Sequence, residues 1–345
     1  MSKRILLLSD YRDYFYSSTR AWDEPLRTEL IRGFLSDAGY ALEMKQFADV
    51  DFRRDELKGL PVLYQSSEDP SLLYKSYVED VLLGLVLSGA FLIPRFSLFR
   101  AHQNKVFMEI LREHSSSDLV RNLSAKGYGT LEEFLGRMNR HTLPVVVKPA
   151  EGAMSSGVRL ATSDAEKRRA ARDVSRSGSW RDYLKDVVKK KIRDARHLKS
   201  NHRNKFVVQD FVAGLENDFK VLVYGEKYYV LKRANRPGDF RASGSGRFEY
   251  LSEIPGGLLD AAKEMYDSFD CPFISLDVGF DGKSYRLLEF QFVMFGNVTL
   301  EKSTFSYQKS GTQWKAVHEA PDLEREFSAS VVRYLENRTA PVPQL

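Results

Sequence analysis

The sequence predicts an α/β protein, and three observations carry that prediction. Short apolar runs alternate with helical stretches over the first hundred residues, the rhythm of an open, largely parallel sheet. In mid-chain, "VVVKPAEGAMSSGVRL" ends a run of three valines on Lys148 and follows it with a glycine- and serine-rich loop. From Phe206 the chain turns β-rich, and one strand pair there carries Asp277, Glu289 and Gln291.

The elements follow in order. "RILLLS" is a first strand, and "EPLRTELIRGFLSDAG" an amphipathic helix ending near Gly39. "ALEMKQF" and "LPVLYQ" are further strands, "SLLYKSYVEDVLLGLVLSG" a helix, and "AFLIP" a short strand closed by proline. Residues 101 to 140 read mostly as helix, with a capping box if Thr130 is the cap and Glu133 its partner. Residues 164 to 205 are helix-compatible and rich in Lys and Arg, interrupted by "SRSGSW". "FVVQDFV", "DFKVLVYG" and "KYYVLKRA" are strands, then "GGLLDAAKEMYDSF" is a helix. "FISLDVGF" and "YRLLEFQF" pair as strands, and "DLEREFSASVVRYLENR" is the last helix. No internal repeat is present.

With 345 residues the chain has room for two or three domains or lobes. Hydrophobic residues at 43% and charged residues at 29% fit a soluble globular protein. One cysteine, Cys271, rules out a disulfide scaffold and suits a reducing cytosol. The apolar part of "MSKRILLLSD" is too short for a signal peptide. The longest apolar stretch, "VEDVLLGLVLSGAFLIP", carries Glu79 and Asp80 and is interrupted by Gly84 and Gly89, so no bilayer span is expected. A cytoplasmic location follows as the expectation. The net charge of +5 suits an anionic ligand and also lies within the range of ordinary soluble proteins.

Lys148 sets the first chemical question. A lysine ending a buried strand is costly to bury unless an anion or carboxylate meets it. Gly152 and Gly157 bracket Ala153, Met154, Ser155 and Ser156, and such a loop can bring backbone N–H groups close to phosphate oxygens. Val158 and Arg159 stand where a P-loop needs Lys and Ser or Thr, which excludes that motif. An ordinary strand–turn–strand with a snorkelling lysine is the alternative.

The strand pair "ISLDVGFDGKSYRLLEFQF" sets the second. Glu289 and Gln291 are two apart and share a strand face. A two-residue Asp281-Gly282 turn would send Asp277 to the opposite face; a loop of odd length centred on Lys283 makes Asp277 the direct neighbour of Glu289, with Cβ atoms about 5 Å apart. The odd loop also gathers Ile274, Leu276, Val278, Leu288, Phe290 and Phe292 on one face. It leaves Ser275, Asp277, Tyr285, Glu289 and Gln291 on the other, with Leu287 the one apolar exception. Two carboxylates and an amide oxygen suit Mg²⁺ carrying nucleotide phosphates. A solvated polar face with its acids paired to Arg or Lys is the alternative reading.

In their order these pieces resemble the ATP-grasp superfamily, from about Ala101 to Thr299. "HQNK" is similar to the family's opening Asn/Asp–Lys pair, and "VVVKP" to its second phosphate lysine; the resemblance puts Lys105 and Lys148 on phosphates. "EGAMSSGV" resembles the mobile glycine-rich loop, which implies roles for Gly152, Ser155, Ser156 and Gly157. "VVQDFVAG" resembles the hinge strand, so that Gln209, Asp210 and Val212 would border adenine. "LLEFQF" resembles the metal strand, implying Asp277, Glu289 and Gln291 as metal ligands, with Gln291 where the family usually has Asn. "NDFKVLVYGEKYYVLKRANRPGDFRASGSG" is most similar to amino-acid-adding ligases of the RimK type. In that likeness Asp218 is a cofactor-binding position, Lys220 replaces the usual arginine, and Arg233, Arg236 and Arg241 are catalytic.

The resemblance implies an N-terminal open parallel α/β domain followed by a two-lobed ATP-grasp α+β fold. The expected bounds are 1–100, then 101–213 with the glycine-rich loop and basic segment, then 214–345 with the metal hairpin. It implies an ATP- and Mg²⁺-dependent ligase that activates a carboxylate as an acyl phosphate and joins it to an amine. The carboxylate would be a small molecule, glycan or peptide. A membrane and nucleic acid are not expected as partners, and a homo-oligomer stays open. Tyr64, Gln65, Ser66 and Ser67, at a strand end, are where substrate would be sought, with a capped helix start as the alternative. The rival function is a non-catalytic nucleotide- or nucleic-acid-binding module using the basic segment.

Overall fold

The computed structural model describes residues 3–16, 24–53, 56–152, 157–177, 200–236, 246–251 and 253–338. The chain divides into two compact units: Met1–His102 with Ser115–Val120 and Glu216–Leu345, and Gln103–His114 with Arg121–Leu215.

The larger unit opens with four parallel strands, β1 (Lys3–Ser9), β2 (Tyr40–Gln46), β3 (Pro61–Leu63) and β4 (Phe91–Ile93), in the order β2-β1-β3-β4. β1 buries Ile5 through Leu8 without alternation, as a central parallel strand covered on both faces does. The helix Thr28–Asp37 turns Ile31 and Leu35 inward, which is why its apolar residues recur at helical spacing.

The smaller unit is built on an antiparallel sheet of β5 (Ala125–Tyr128), β6 (Val145–Pro149), β7 (Arg159–Ala161) and β8 (Phe206–Asp210), in the order β5-β8-β6-β7. Val145 and Val147 join Phe134, Ala171, Phe206 and Val208 in its core. By strand alternation Val146 and Lys148 take the opposite face. β5 lies inside the interval read as helix. Its residues, "AKGY", include no β-branched side chain; pairing with β8, from Ala125 opposite Gln209 to Tyr128 opposite Phe206, makes it a strand. The capping box at Thr130 and Glu133 forms as read, with both bonds present.

The rest of the larger unit is an antiparallel sheet of seven strands among the described residues: β9 (Asn217–Tyr224), β10 (Lys227–Ala234), β11 (Phe248–Glu249), β12 (Phe273–Phe280), β13 (Tyr285–Gln291), β14 (Phe305–Ser310) and β15 (Gln313–His318). The path runs β13-β12-β9-β10-β14-β15, with β11 on β10. One core joins this sheet to the parallel one: Ile5, Leu7, Leu222, Phe273, Phe295 and Phe327 belong to a single buried cluster. The last helix, Leu323–Glu336, adds Phe327 and Val331 to it, and its buried Glu324 accepts from Arg27 at 2.9 and 3.1 Å.

Candidate active site

In the smaller unit, one corner gathers the end of β6, the glycine loop's borders and a helix start. Asn104 caps the helix Lys105–Glu113. The Lys105 N–H donates to the Ala150 carbonyl at 2.9 Å, and its ammonium donates to the Gly152 carbonyl at 2.8 Å. The Gly152 N–H donates in turn to Gln103 Oε1 at 2.9 Å. Lys105 is therefore fixed beside the strand that Lys148 ends. Gly152 and Gly157 have φ of +105° and +73°, and a Cβ on Gly157 would lie 3.1 Å from Pro149 Cγ, so both borders require glycine. Ser155 and Ser156 lie outside the described residues.

β8 brings Gln209 opposite Val146, on the face of the sheet that Lys148 shares. Gln209 is buried, and its Nε2 has no acceptor among the described residues. A buried amide nitrogen of that kind calls for a ligand acceptor or water. The Asp210 N–H donates to the Ser124 carbonyl at 3.0 Å, so it is already spent within the fold. Val212 follows two residues on, half-buried.

In the larger unit the hairpin aligns Asp277 with Glu289 and Ser275 with Gln291. The turn differs from the odd loop expected. Phe280 pairs with Tyr285 around four residues, and the register shifts by one between Asp277 and Val278, leaving Leu288 as a bulge. The shift sends Leu287 and Tyr285 to the core side, opposite Val278 and Phe280, and leaves Leu288 half-buried. Leu287, the apolar exception in the sequence, is fully buried, and Tyr285 is not a site residue; its hydroxyl donates to the Gly256 carbonyl. The tip is held by Asp281, which accepts from the Lys283 and Ser284 N–H groups at 2.9 and 2.8 Å and from Arg286 at 2.8 Å. These bonds hold its carboxyl down at about 2.

The same face extends across β9 and β10. Lys220 lies opposite Asp277, and Asp218 opposite both Gly279 and Arg233. Arg233 Nε and Nη2 donate to the two Asp218 oxygens at 2.6 and 2.7 Å, and Nη2 also lies 2.8 Å from Asp277 Oδ2. The Lys220 ammonium donates to Ser275 Oγ at 2.9 Å and lies 3.8 Å from Asp277 Oδ1. Burial pushes the Asp218 carboxyl up from the ordinary carboxylate range, with Arg233 pulling against it. Burial works against the Arg233 charge too, but Asp277 and Asp218 outweigh it and raise that pKa. Arg236 is exposed just beyond β10, and Arg241 lies outside the described residues.

The donor chemistry fits Mg²⁺ in a particular way. No group of three or more His, Cys, Asp or Glu side chains capable of holding a metal occurs among the described residues. The hairpin offers two adjacent carboxylates and an amide oxygen. Those are hard ligands, too few for an all-protein cage and suited to an ion that keeps water and phosphate oxygens.

Sequence reasoning missed the Asp218–Arg233–Asp277 bridge, although a signal was present. A two-residue Gly225-Glu226 turn sets Asp218 opposite Arg233, and Gly225 does have the left-handed φ, +59°, that such a turn uses. The residues sought for substrate have structural bonds instead. The Tyr64 hydroxyl donates to the Pro94 carbonyl, Gln65 accepts from the Tyr16 N–H, and Ser67 donates to Asp69, which accepts from the Tyr74 and Lys75 N–H groups at the helix start. Ser66 is buried with its hydroxyl unmatched among the described residues. "KKKIRDARHLK" lies outside the described residues.

Comparison with known proteins bears on the fold. No protein-family model matches the sequence, and no curated protein does. Solved structures do match. The chain is similar to the D-cycloserine synthetase DcsG, with 12% identity, a TM-score of 0.53, and 96% of this chain covering 99% of that one. It is similar also to the ATP-grasp ligase PsnB complexed with minimal precursor, with 13% identity, a TM-score of 0.50, and coverage of 96% and 99%. The chain has an ATP-grasp fold. No helix among the described residues is long and apolar enough to cross a membrane.

Proposed function

We propose that the protein is an ATP- and Mg²⁺-dependent ligase that joins a carboxylate to an amine. The observation that carries this is the hairpin face, where Asp277 stands opposite Glu289 and Gln291 lies on the same side, next to Arg233 and Lys220. Asp277, Glu289 and Gln291 hold the metal, which when bound neutralises phosphate charge. Lys105 and Lys148 bind phosphate oxygens at the glycine-rich loop, and Gln209 offers its buried amide to the adenine edge. The substrate carboxylate attacks the γ-phosphorus, ADP leaves, and an acyl phosphate forms. The amine then attacks the acyl carbon and inorganic phosphate leaves. No side-chain nucleophile is required, because positioning and electrostatics carry phosphoryl transfer. The sequence likeness to RimK-type ligases and the DcsG and PsnB structures support an amino-acid or peptide substrate class.

The test is ADP release from ATP and Mg²⁺ against a panel of carboxylates and amines, with product masses determined for the positive pairs. A product mass equal to carboxylic acid plus amine less water is expected. ATP binding without ADP release on any pair argues for the non-catalytic alternative, and ADP release with no new amide argues against amide ligation.

A further inference from the structure

Arg233 and Lys220 each touch the metal carboxylate Asp277 by their weaker contact and something else by their stronger one. Arg233 gives Asp218 a two-pronged bond at 2.6 and 2.7 Å and gives Asp277 a single contact at 2.8 Å. Lys220 donates to Ser275 Oγ at 2.9 Å and stands 3.8 Å from Asp277. The Asp218 side chain is 9% exposed and therefore poorly placed to receive a hydrated ion, whereas the Asp277 side chain is 18% exposed. Among the described residues, and apart from the Arg286–Asp281 pair at the tip, the three acids Asp218, Asp277 and Glu289 share this face with two cations, Arg233 and Lys220.

We propose that Arg233 and Lys220 are resident counter-ions of Asp277, and that Asp218 is a positioning residue that retains Arg233 when a divalent cation takes Asp277. The proposal rests on the metal reading given above. Without Asp218 the guanidinium would turn wholly to Asp277, its other carboxylate contact, and would compete with the ion. With it, Arg233 gives up one hydrogen bond, keeps two, and stays on the face with a donor free for an anionic oxygen. Ser275 serves Lys220 in the same way. Binding the dication then adds two formal positive charges to the face. The metal thereby prepares the face for phosphate.

The experiment titrates the nucleotide-free protein with Mn²⁺, an EPR-visible ion that takes oxygen ligands. Glu289→Gln should abolish binding; unchanged affinity there shows that the hairpin is not the metal site and removes this proposal with that reading. Given a Glu289-dependent site, Lys220→Met should tighten Mn²⁺ about tenfold, because a competing cation near Asp277 is gone. Asp218→Asn should weaken it about tenfold. That weakening should vanish in an Arg233→Met background, since Asp218 acts through Arg233. If Asp218→Asn weakens Mn²⁺ equally with and without Arg233, Asp218 acts by its own charge and the positioning role is wrong. Should Arg233→Met fail to fold, the Lys220→Met titration still decides: unchanged Mn²⁺ affinity overturns the counter-ion exchange. A merely structural Asp218 would shift the melting temperature and leave Mn²⁺ affinity where it was.

Discussion

Lys105 and Arg233 are both buried cations, at 8% and 6% exposure, and the two units hold them by different means. The Lys105 ammonium donates to a backbone carbonyl, that of Gly152. The Arg233 guanidinium lies against two carboxylates, Asp218 and Asp277. A carbonyl dipole holds a cation without cancelling its formal charge. A cation set between acids keeps those acids from repelling each other. The difference teaches that the corner's lysine is held by a dipole and the face's arginine by charge, so that on the proposed reading the corner receives an anion and the face exchanges one cation for another.

The largest effect tests the hairpin half of that contrast. Glu289→Ala removes a proposed metal carboxylate whose side chain is half-buried and whose loss leaves the strand pairing in place. Ligation should fall at least ten-thousandfold, roughly 5.4 kcal/mol in the barrier. Turnover within tenfold of wild type, in a folded variant, breaks the comparison on this side.

The next effect separates the two ways of holding a cation. Arg233→Met leaves Asp218 buried beside Asp277 with its bidentate partner gone, and should lower unfolding free energy by about 3–5 kcal/mol. Lys105→Met takes a donor from a carbonyl and should lower it by about 1 kcal/mol. Urea melts of both variants decide the point. Equal losses would mean that the charges on the hairpin face are not matched in the way the distances indicate.

Lys148→Met sharpens the corner half. The stem stays, so β6 should keep its packing through Val145 and Val147. ATP affinity or the phosphoryl step should drop at least tenfold, about 1.4 kcal/mol. Wild-type turnover in the folded variant would return Lys148 to the role of a snorkelling strand end.

Much of this contrast was legible beforehand, and the failures have physical causes. Three valines, a lysine and a glycine-bordered loop marked the corner because burial and backbone conformation write directly into residue type. The pairing of Asp277 with Glu289 was legible because one apolar face of the hairpin must be buried. The bulge at Leu288 was not, since core positions out of phase, Leu287 and Phe290, can be met by a longer loop or by an inserted residue. Leu287 was the clue: an apolar residue on the wrong face signals a shift between it and the next core position. β14 and β15 were missed because β15 is exposed or half-buried along its whole length and so lacks the alternation that announces a strand. The Arg233 bridge needed the register of a second hairpin, and charge alone does not supply that.

The smallest effect probes what keeps the hairpin tip, and hence the register of Asp277 with Glu289, in place. Asp281 holds the four-residue turn through two backbone N–H groups and Arg286, and those bonds depress its carboxyl to about 2, against about 3.9 in an unfolded chain. A depressed carboxyl contributes stability that is complete above the unfolded value and lost as pH falls through the folded one. Asp281→Ala should therefore cost about 1 kcal/mol at neutral pH. The gap between wild type and variant should hold steady down to about pH 4 and close between about pH 4 and 2. Urea melts at a series of pH values measure that gap directly. A gap that persists unchanged at about pH 2 would mean that the turn is held without the Asp281 charge, and that the bulge alone sets the alignment of Asp277 with Glu289.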